Sequence, residues 1–154
     1  MVIGFPNVGK SALINALANK KATKVENRPG LTKKLQWVMI GTHLSLLDTP
    51  GILTPKISNQ DDAKKLALLK CIKDTHIDPV QISRWLILRC LAQDPSILEN
   101  RYQFNSLNLI EDEILELIAK KRLYKLPDGD FDIIRTAKSI IEDYRNGKLG
   151  RFSL

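Results

Sequence analysis

The spacing of apolar residues divides the chain into a short part that favours strands and a longer part that favours helices. Met1-Val2-Ile3 is an apolar run that predicts the tail of a buried strand. Residues 35–40 and 43–48 predict two strands, and the tight turn Gly41-Thr42 joins them into a hairpin. Between the apolar run and the hairpin, a helix is predicted from the spacing of Leu13, Ile14 and Leu17.

Beyond Pro55 the pattern becomes helical throughout. Helices are predicted over residues 61–74, 79–92, a short stretch after Asp94-Pro95, 106–122, and a last segment that Asp130 caps. In that last segment the apolar positions are Ile133, Ile134, Ala137, Ile140, Ile141 and Tyr144, and Asn146-Gly147 is expected to end it. Such stripes first of all predict a buried core.

The stretch Gly4-Phe5-Pro6-Asn7-Val8-Gly9-Lys10-Ser11 has the Gly-x-x-x-x-Gly-Lys-Ser spacing of a phosphate-binding loop. Gly9 would let the backbone pass close to the phosphates, Lys10 would reach the β and γ oxygens, and the Ser11 hydroxyl would face Mg²⁺. An apolar run before the loop and a helix after it supply the expected context. The alternative is a glycine-rich turn ahead of an ordinary helix.

The loop over residues 19–34 contains Thr32, and the second predicted strand ends at Asp48-Thr49-Pro50-Gly51. This order of elements is that of the first half of a GTPase. In that layout Asp48 would hold Mg²⁺ through water, Gly51 would offer its amide to the γ-phosphate, and Thr32 would close over the metal ion. The Asp-Thr-Pro-Gly sequence favours a guanine nucleotide and disfavours an ATPase or kinase.

The chain has a net charge of +7, and residues 1–75 carry all of it, with 12 Lys or Arg against 5 Asp or Glu. Residues 76–154 hold 12 of each sign. Much of the excess lies in Lys20, Lys21, Lys24, Arg28, Lys33 and Lys34. This run suits an RNA backbone, although a solvated lysine-rich loop explains the charge equally well.

Other features exclude several classes of protein. No apolar run approaches the roughly 20 residues of a membrane span, and the start lacks the features of a secretory signal, so a cytoplasmic location is expected. Cys71 and Cys90 form no Cys-x-x-Cys pair and are expected to be buried free thiols. His43 and His76 have no neighbours at metal-ligand spacing, which argues against zinc.

Taken together with Pro29-Gly30-Leu31-Thr32 and Asp48-Thr49-Pro50-Gly51-Ile52, the glycine-rich loop resembles that of the circularly permuted ribosome-assembly GTPases, specifically the ribosome biogenesis GTPase A (YlqF-like) family. The tail, Tyr144-Arg145-Asn146-Gly147-Lys148-Leu149-Gly150-Arg151, is similar to the closing segment of that family. The resemblance covers essentially the whole chain. It implies an α/β P-loop GTPase portion with an incomplete sheet over residues 1–58, and an all-α helical domain that binds the ribosome or RNA over residues 59–154.

The resemblance also implies a set of site residues. Nucleotide binding is expected from Asn7, Val8, Gly9, Lys10, Ser11, Ala12 and Gly51, catalysis from Lys10, Thr32 and Gly51, and Mg²⁺ binding from Ser11, Thr32 and Asp48. Asn7 matches a residue that holds K⁺ in related GTPases, or else it only shapes the loop. Ile52 stands where Ras-type enzymes place a water-orienting glutamine.

In that family the Asn-Lys-x-Asp motif that reads guanine precedes the phosphate-binding loop, and this sequence contains no such motif. The chain is therefore expected to be the C-terminal portion of a family member. Two functions stay open. The first is a GTPase, with GTP or GDP and Mg²⁺ as ligands and K⁺ as a further candidate ion, that acts on the large ribosomal subunit precursor and its RNA, without membrane or DNA partners. The second is a non-catalytic RNA- or ribosome-binding module with a vestigial nucleotide pocket.

Overall fold

The computed structural model describes residues 1–19, 32, 34–52, 57, 59–72 and 78–150. The chain divides into two units, Met1–Asp74 and Thr75–Leu154. The functional boundary predicted at residues 58 and 59 stays a prediction. None of the helices in the described ranges is long and apolar enough to cross a membrane.

The first unit is built around the predicted hairpin. Strands β1 (Gln36–Ile40) and β2 (Leu44–Asp48) are antiparallel, with Trp37 opposite Leu47. Val2 pairs with Asp48 in parallel, and its N–H donates to the Leu47 carbonyl at 3.0 Å. The strand predicted at residues 1–3 is thus a single parallel bridge, because only Val2 reaches the β2 ladder.

Two helices accompany these strands, α1 (Lys10–Ala18) and α2 (Gln60–Leu68). The helix predicted from the spacing of Leu13, Ile14 and Leu17 is present as α1; Ile14 is its buried residue, whereas Leu13 and Leu17 are each 53% exposed. Helix α2 ends well before the predicted residue 74. Lys70 takes a positive φ of 55°, and the N–H of the next residue, Cys71, donates back to the Leu66 carbonyl at 2.8 Å. This left-handed closure stops the helix.

The second unit contains four helices in its described part: α3 (Pro79–Gln93), α4 (Ser96–Tyr102), α5 (Glu111–Lys121) and α6 (Ile133–Arg145). An isolated antiparallel bridge joins Lys125 to Phe131. The largest fully buried apolar side chains described in the second unit are Leu86, Ile87, Leu98, Ile114, Leu115, Ile118 and Ile140. Helix α3 begins where the sequence predicted, because the Asp78 side chain accepts the Val80 N–H at 2.9 Å.

Two helix starts in this unit differ from the prediction. Helix α5 begins at Glu111 rather than Ser106, because Ser106 bonds through both its N–H and its hydroxyl to Glu99 and Asn108 takes a positive φ of 63°. Helix α6 is capped by Asp132, not Asp130, and its Ile134 is 56% exposed. The predicted end at Asn146-Gly147 is confirmed, with Gly147 at φ +69°.

Both cysteines are free and buried, as the sequence predicted. Burial raises the pKa of the Cys71 thiol, an effect that the nearby charge of Lys10 partly opposes, and burial raises the pKa of Cys90 to about 12. At neutral pH both thiols are therefore protonated and behave as small apolar side chains.

Candidate nucleotide-binding site

The glycine-rich loop leads from the Val2 bridge into the first turn of α1. Gly9 is the residue that precedes the helix, and it adopts φ +92°, a conformation that a side chain disfavours. Asn7 also lies in the left-handed region, at φ +61°. The loop thereby leads directly into the N-terminus of α1, where the helix dipole favours an anion.

The Lys10 side chain folds back over this loop. Its ammonium group donates to the carbonyl oxygens of Gly4 at 3.1 Å and of Phe5 at 2.8 Å. Because a lysine ammonium has three N–H donors, this arrangement fixes the charge over the loop and leaves a third donor for a phosphate oxygen.

Three predicted metal-binding side chains meet beside the loop. The Ser11 hydroxyl donates to Asp48 Oδ2 at 2.7 Å, and its Oγ lies 3.2 Å from Thr32 Oγ1. Ser11 lies at the start of α1, Asp48 at the end of β2, and Thr32 in the segment between these elements. Asp48 follows Ser11 by 37 positions in the sequence. The fold thus brings Ser11, Thr32 and Asp48 together.

The carboxylate of Asp48 is fully buried, and its Oδ1 atom has no hydrogen-bond partner within the described part of the chain. Leaving a buried carboxylate oxygen unpaired costs roughly 1–3 kcal/mol or more. A hard cation with oxygen ligands relieves that cost, and two hydroxyls with a carboxylate are oxygen donors that suit Mg²⁺. The residues present therefore fit the ion.

The turn after Asp48 packs directly on the loop. The Ile52 N–H donates to the Gly4 carbonyl at 3.1 Å, and a Cβ added at Gly51 would lie under 3.0 Å from the Pro6 backbone. Glycine is required here by close approach of two backbones rather than by its φ angle. Gly51 is therefore held against the loop at Pro6, and the contact predicted between its amide and a γ-phosphate stays a prediction.

The remaining predicted residues divide into two groups. Val8 and Ala12 are exposed on the loop and on α1, and Lys34 is exposed ahead of β1. The other members of the basic run lie outside the described residues: Lys20, Lys21, Lys24, Arg28 and Lys33.

The sequence patterns did not reveal two anchoring contacts, Lys10 with its own loop carbonyls and the Thr49 hydroxyl with the Val2 carbonyl at 2.7 Å. Neither apolar periodicity nor motif spacing predicts these two bonds.

Comparison with known proteins identifies a family of GTPases. Residues 1–122 match the family model described as 50S ribosome-binding GTPase. Ribosome biogenesis GTPase A of Priestia megaterium is 37% identical over 99% of this chain and 53% of its own length. Its namesake in Bacillus licheniformis is 41% identical over 99% and 54%, and Mitochondrial GTPase 1 of Schizosaccharomyces pombe is 36% identical over 99% and 48%. The chain thus spans about half the length of these relatives.

Two solved structures are similar over almost the whole chain. GDP-bound YlqF matches with a TM-score of 0.66, 29% identity, and coverage of 99% of this chain and 58% of that one. GNP-bound YlqF of T. maritima matches with a TM-score of 0.62, 29% identity, and coverage of 99% and 57%. These similarities confirm the resemblance that the loop, the Asp-Thr-Pro-Gly turn and the tail indicated. The chain belongs to the 50S ribosome-binding GTPases, with relatives of the ribosome biogenesis GTPase A type.

Proposed function

We propose that this chain carries the phosphate- and Mg²⁺-binding part of a GTPase that acts in assembly of the large ribosomal subunit. The observation that carries the proposal is the convergence of Ser11, Thr32 and Asp48 around a buried carboxylate oxygen with no partner among the described residues. Membership of a GTPase family supports a guanine nucleotide as the ligand, and the names of the relatives support a role in ribosome assembly.

Each site residue has a role in this proposal. The amides of Asn7, Val8, Gly9 and Ala12 surround the phosphates, and Lys10 donates its third N–H to a β or γ oxygen. Ser11, Thr32 and Asp48 hold Mg²⁺, which neutralises phosphate charge when it is bound. Gly51 offers its amide to the γ-phosphate, and Asn7 is the candidate contact for K⁺.

The nucleotide would act as a switch through Thr32 and Gly51. Both residues contact parts of the site that the γ-phosphate would touch, one through Ser11 and the other through the loop backbone at Pro6. Loss of the γ-phosphate on hydrolysis removes one attachment point from each segment. A partner that binds these segments would thereby distinguish the GTP state from the GDP state, which suits a cytoplasmic assembly factor.

Nucleotide binding is tested by Lys10→Ala, with Lys65→Ala on α2 as the control. Both variants lose one positive charge from the first unit, and Lys10 is the residue whose ammonium bonds the loop carbonyls. Removing a charge-assisted contact costs about 1.5–3 kcal/mol, so Lys10→Ala should weaken binding by at least roughly tenfold and Lys65→Ala by little. The measurement is titration of a fluorescent GTP analogue with Mg²⁺.

Equal affinities for the two variants would contradict the phosphate-binding role of the loop. Failure of the wild-type chain to bind nucleotide, while it still binds ribosomal subunits, would instead favour the non-catalytic module.

Hydrolysis by the chain alone should be slow. The residue after Gly51 is Ile52, which is 59% exposed and whose side chain has no group to orient an attacking water. We expect the ribosomal particle to supply that group, so phosphate release should rise severalfold or more when 50S subunits are added to the chain with GTP. Fast release that the subunits do not change would contradict this expectation.

A further inference from the structure

A nearly buried carboxylate in the second unit lies among three cationic side chains. Asp143 Oδ2 accepts hydrogen bonds from Arg101 Nε at 3.0 Å and from Arg122 Nη2, and the Lys148 ammonium lies 3.6 Å from Oδ1. The Tyr102 hydroxyl also donates to Oδ2, at 3.2 Å. One negative charge thus meets three positive ones, and the Asp143 cluster, defined by these four charged residues, keeps two positive charges in excess.

This excess is not removed by protonation. Burial raises the pKa of Asp143, but hydrogen bonds from Arg101 and Arg122 outweigh burial and leave the pKa below its ordinary value of 3.8. The carboxylate is therefore ionised at neutral pH. One arginine would compensate its charge, so the second and third cations exceed the positive charge that a buried acid needs.

The cluster also presents unused donors. Arg101 bonds Asp143 only through Nε, and its two terminal nitrogens make no hydrogen bond to the described part of the chain. Its side chain is 32% exposed, and that of Lys148 is 52% exposed. The carboxylate thus holds Arg101 in place while its outer edge faces solvent, an arrangement that lowers the entropy lost on binding an anion.

Aromatic rings extend the basic surface beyond the cluster. The Arg122 guanidinium lies over the Tyr102 ring at 5.2 Å and also bonds Ser139. Ser139 Oγ is 3.5 Å from the Tyr124 hydroxyl, and Arg135 lies over the Tyr124 ring at 4.2 Å. Arg135 is exposed, so cationic groups continue from the cluster to the start of α6.

We propose that the Asp143 cluster is a phosphate-binding site for the RNA backbone, with Arg101 and Lys148 as the contacting residues. The proposal rests on the proposed function, since a ribosomal partner supplies the RNA. The terminal edge of an arginine matches two phosphate oxygens, whereas a carboxylate of an acidic peptide presents less charge to a site with two positive charges in excess.

The net charge of the sequence conceals this site. Residues 76–154 have equal numbers of acidic and basic residues, so the charge count suggested an RNA contact only in the first half, with a solvated lysine-rich loop as an equal alternative. Folding separates the signs, because Arg101, Arg122 and Lys148 lie far apart in sequence and converge on a single acid.

The test compares two double variants of the full chain that lose the same charge. Arg101→Gln with Lys148→Gln removes the contacting residues, and Lys120→Gln with Lys138→Gln removes two exposed lysines of α5 and α6. Binding to protein-free 23S ribosomal RNA and to 50S subunits is measured at several salt concentrations. A third variant, Arg101→Lys with Lys148→Arg, keeps the charge, and thermal unfolding of every variant checks the fold.

We expect the Arg101 and Lys148 double variant to bind 23S RNA about tenfold more weakly. The slope of log affinity against log salt should fall by about 1–2, since each lost phosphate contact contributes about 0.7–0.9. The lysine control should stay within about twofold, and the charge-keeping variant should retain most of the affinity.

Equal losses in the two Gln double variants would overturn the site, because they would show only a general effect of charge. A loss confined to 50S subunits, with binding to protein-free RNA unchanged, would also overturn it and indicate a ribosomal protein as the partner. If the wild-type chain bound 50S subunits but not RNA, only the inference would fail. If it bound neither, the proposed ribosomal function would fail as well.

Discussion

At the scale of single residues, the candidate nucleotide site depends on side chains that bond to backbone. Lys10 is held by two carbonyl groups of its own loop, and the Thr49 hydroxyl is held by the Val2 carbonyl. These bonds fix the loop before any phosphate arrives, so little ordering has to accompany nucleotide binding. Asp48 is the exception, since one of its oxygens is left for a ligand in the described part of the site.

Gly51→Ala should destabilise the first unit and weaken nucleotide binding. The added Cβ would overlap the Pro6 backbone and separate the turn from the loop, breaking the bond from Ile52 N to the Gly4 carbonyl. Overpacking of this kind costs about 1–3 kcal/mol in the free energy of unfolding. Chemical denaturation and titration with a fluorescent GTP analogue measure the two effects.

Gly4→Ala is the matched control for stability, because a Cβ there would meet its nearest neighbours, Val8 Cγ2 and Lys10 Cδ, at 3.5 and 3.8 Å, which is ordinary contact. Equal losses of stability in the two variants would show that backbone approach at Gly51 does not limit the turn.

At this scale the sequence could name candidate site residues because each residue type has a chemical reason to occur there, and their roles stay predictions. Glycine, lysine, serine and aspartate at fixed spacing indicated the loop, and the structure brings Ser11, Thr32 and Asp48 together. The spacing did not predict that Pro6 would pack on Gly51, since that contact joins segments 45 residues apart. The Asp143 cluster was missed for the same reason.

At the scale of elements, helix starts depend on which side chain reaches the first turn. Asp130 and Asp132 both precede α6, and the sequence predicted Asp130 as the cap. The structure gives that role to Asp132, whose Oδ1 accepts the Arg135 N–H at 2.8 Å. The antiparallel bridge between Lys125 and Phe131 explains the difference, because it keeps the chain extended through residue 131.

Asp132→Ala should lower the free energy of unfolding by about 1 kcal/mol, the usual cost of losing a side-chain cap. Asp130→Ala is the control, since Asp130 is exposed and its side chain makes no hydrogen bond to the described residues. Denaturation with urea, followed by helical circular dichroism, compares the two. A larger loss for Asp130→Ala would contradict the observed start of α6.

Element boundaries were harder to predict than element types. The hairpin and the five predicted helices beyond Pro55 have counterparts, but α2 and α5 are shorter than their apolar patterns indicated. In both places a residue other than glycine with a positive φ interrupts the helix, Lys70 after α2 and Asn108 before α5. Apolar periodicity does not reveal these positions, because it does not record backbone φ. Cys71, beyond the interruption at Lys70, is still buried, whereas Leu107 and Ile110 beside Asn108 are exposed.

At the scale of the whole molecule, the two units bury their apolar residues to different extents. The buried apolar residues described in the first unit are Ile14, Val38, Ala67, Leu68 and Cys71, whereas 15 such residues are buried in the described part of the second unit. In β1 the Trp37 and Met39 side chains are 69% and 50% exposed on one face of the hairpin. A phosphate-binding loop normally follows a strand of a parallel sheet, and a parallel sheet is normally covered on both faces.

We predict that the two units open with different free energies, which amide hydrogen exchange can measure. Ile14 in α1 and Ile118 in α5 form a matched pair, since both are fully buried isoleucines inside helices and have similar intrinsic exchange chemistry. The Ile14 amide should exchange at least about tenfold faster, a difference of ~1.4 kcal/mol in the free energy of opening. Helix α1, which contains Ile14, has 9 residues and one buried side chain, whereas α5 has 11 residues and four buried side chains. Equal exchange rates would mean that the chain opens as one cooperative unit, despite the smaller core around the nucleotide site.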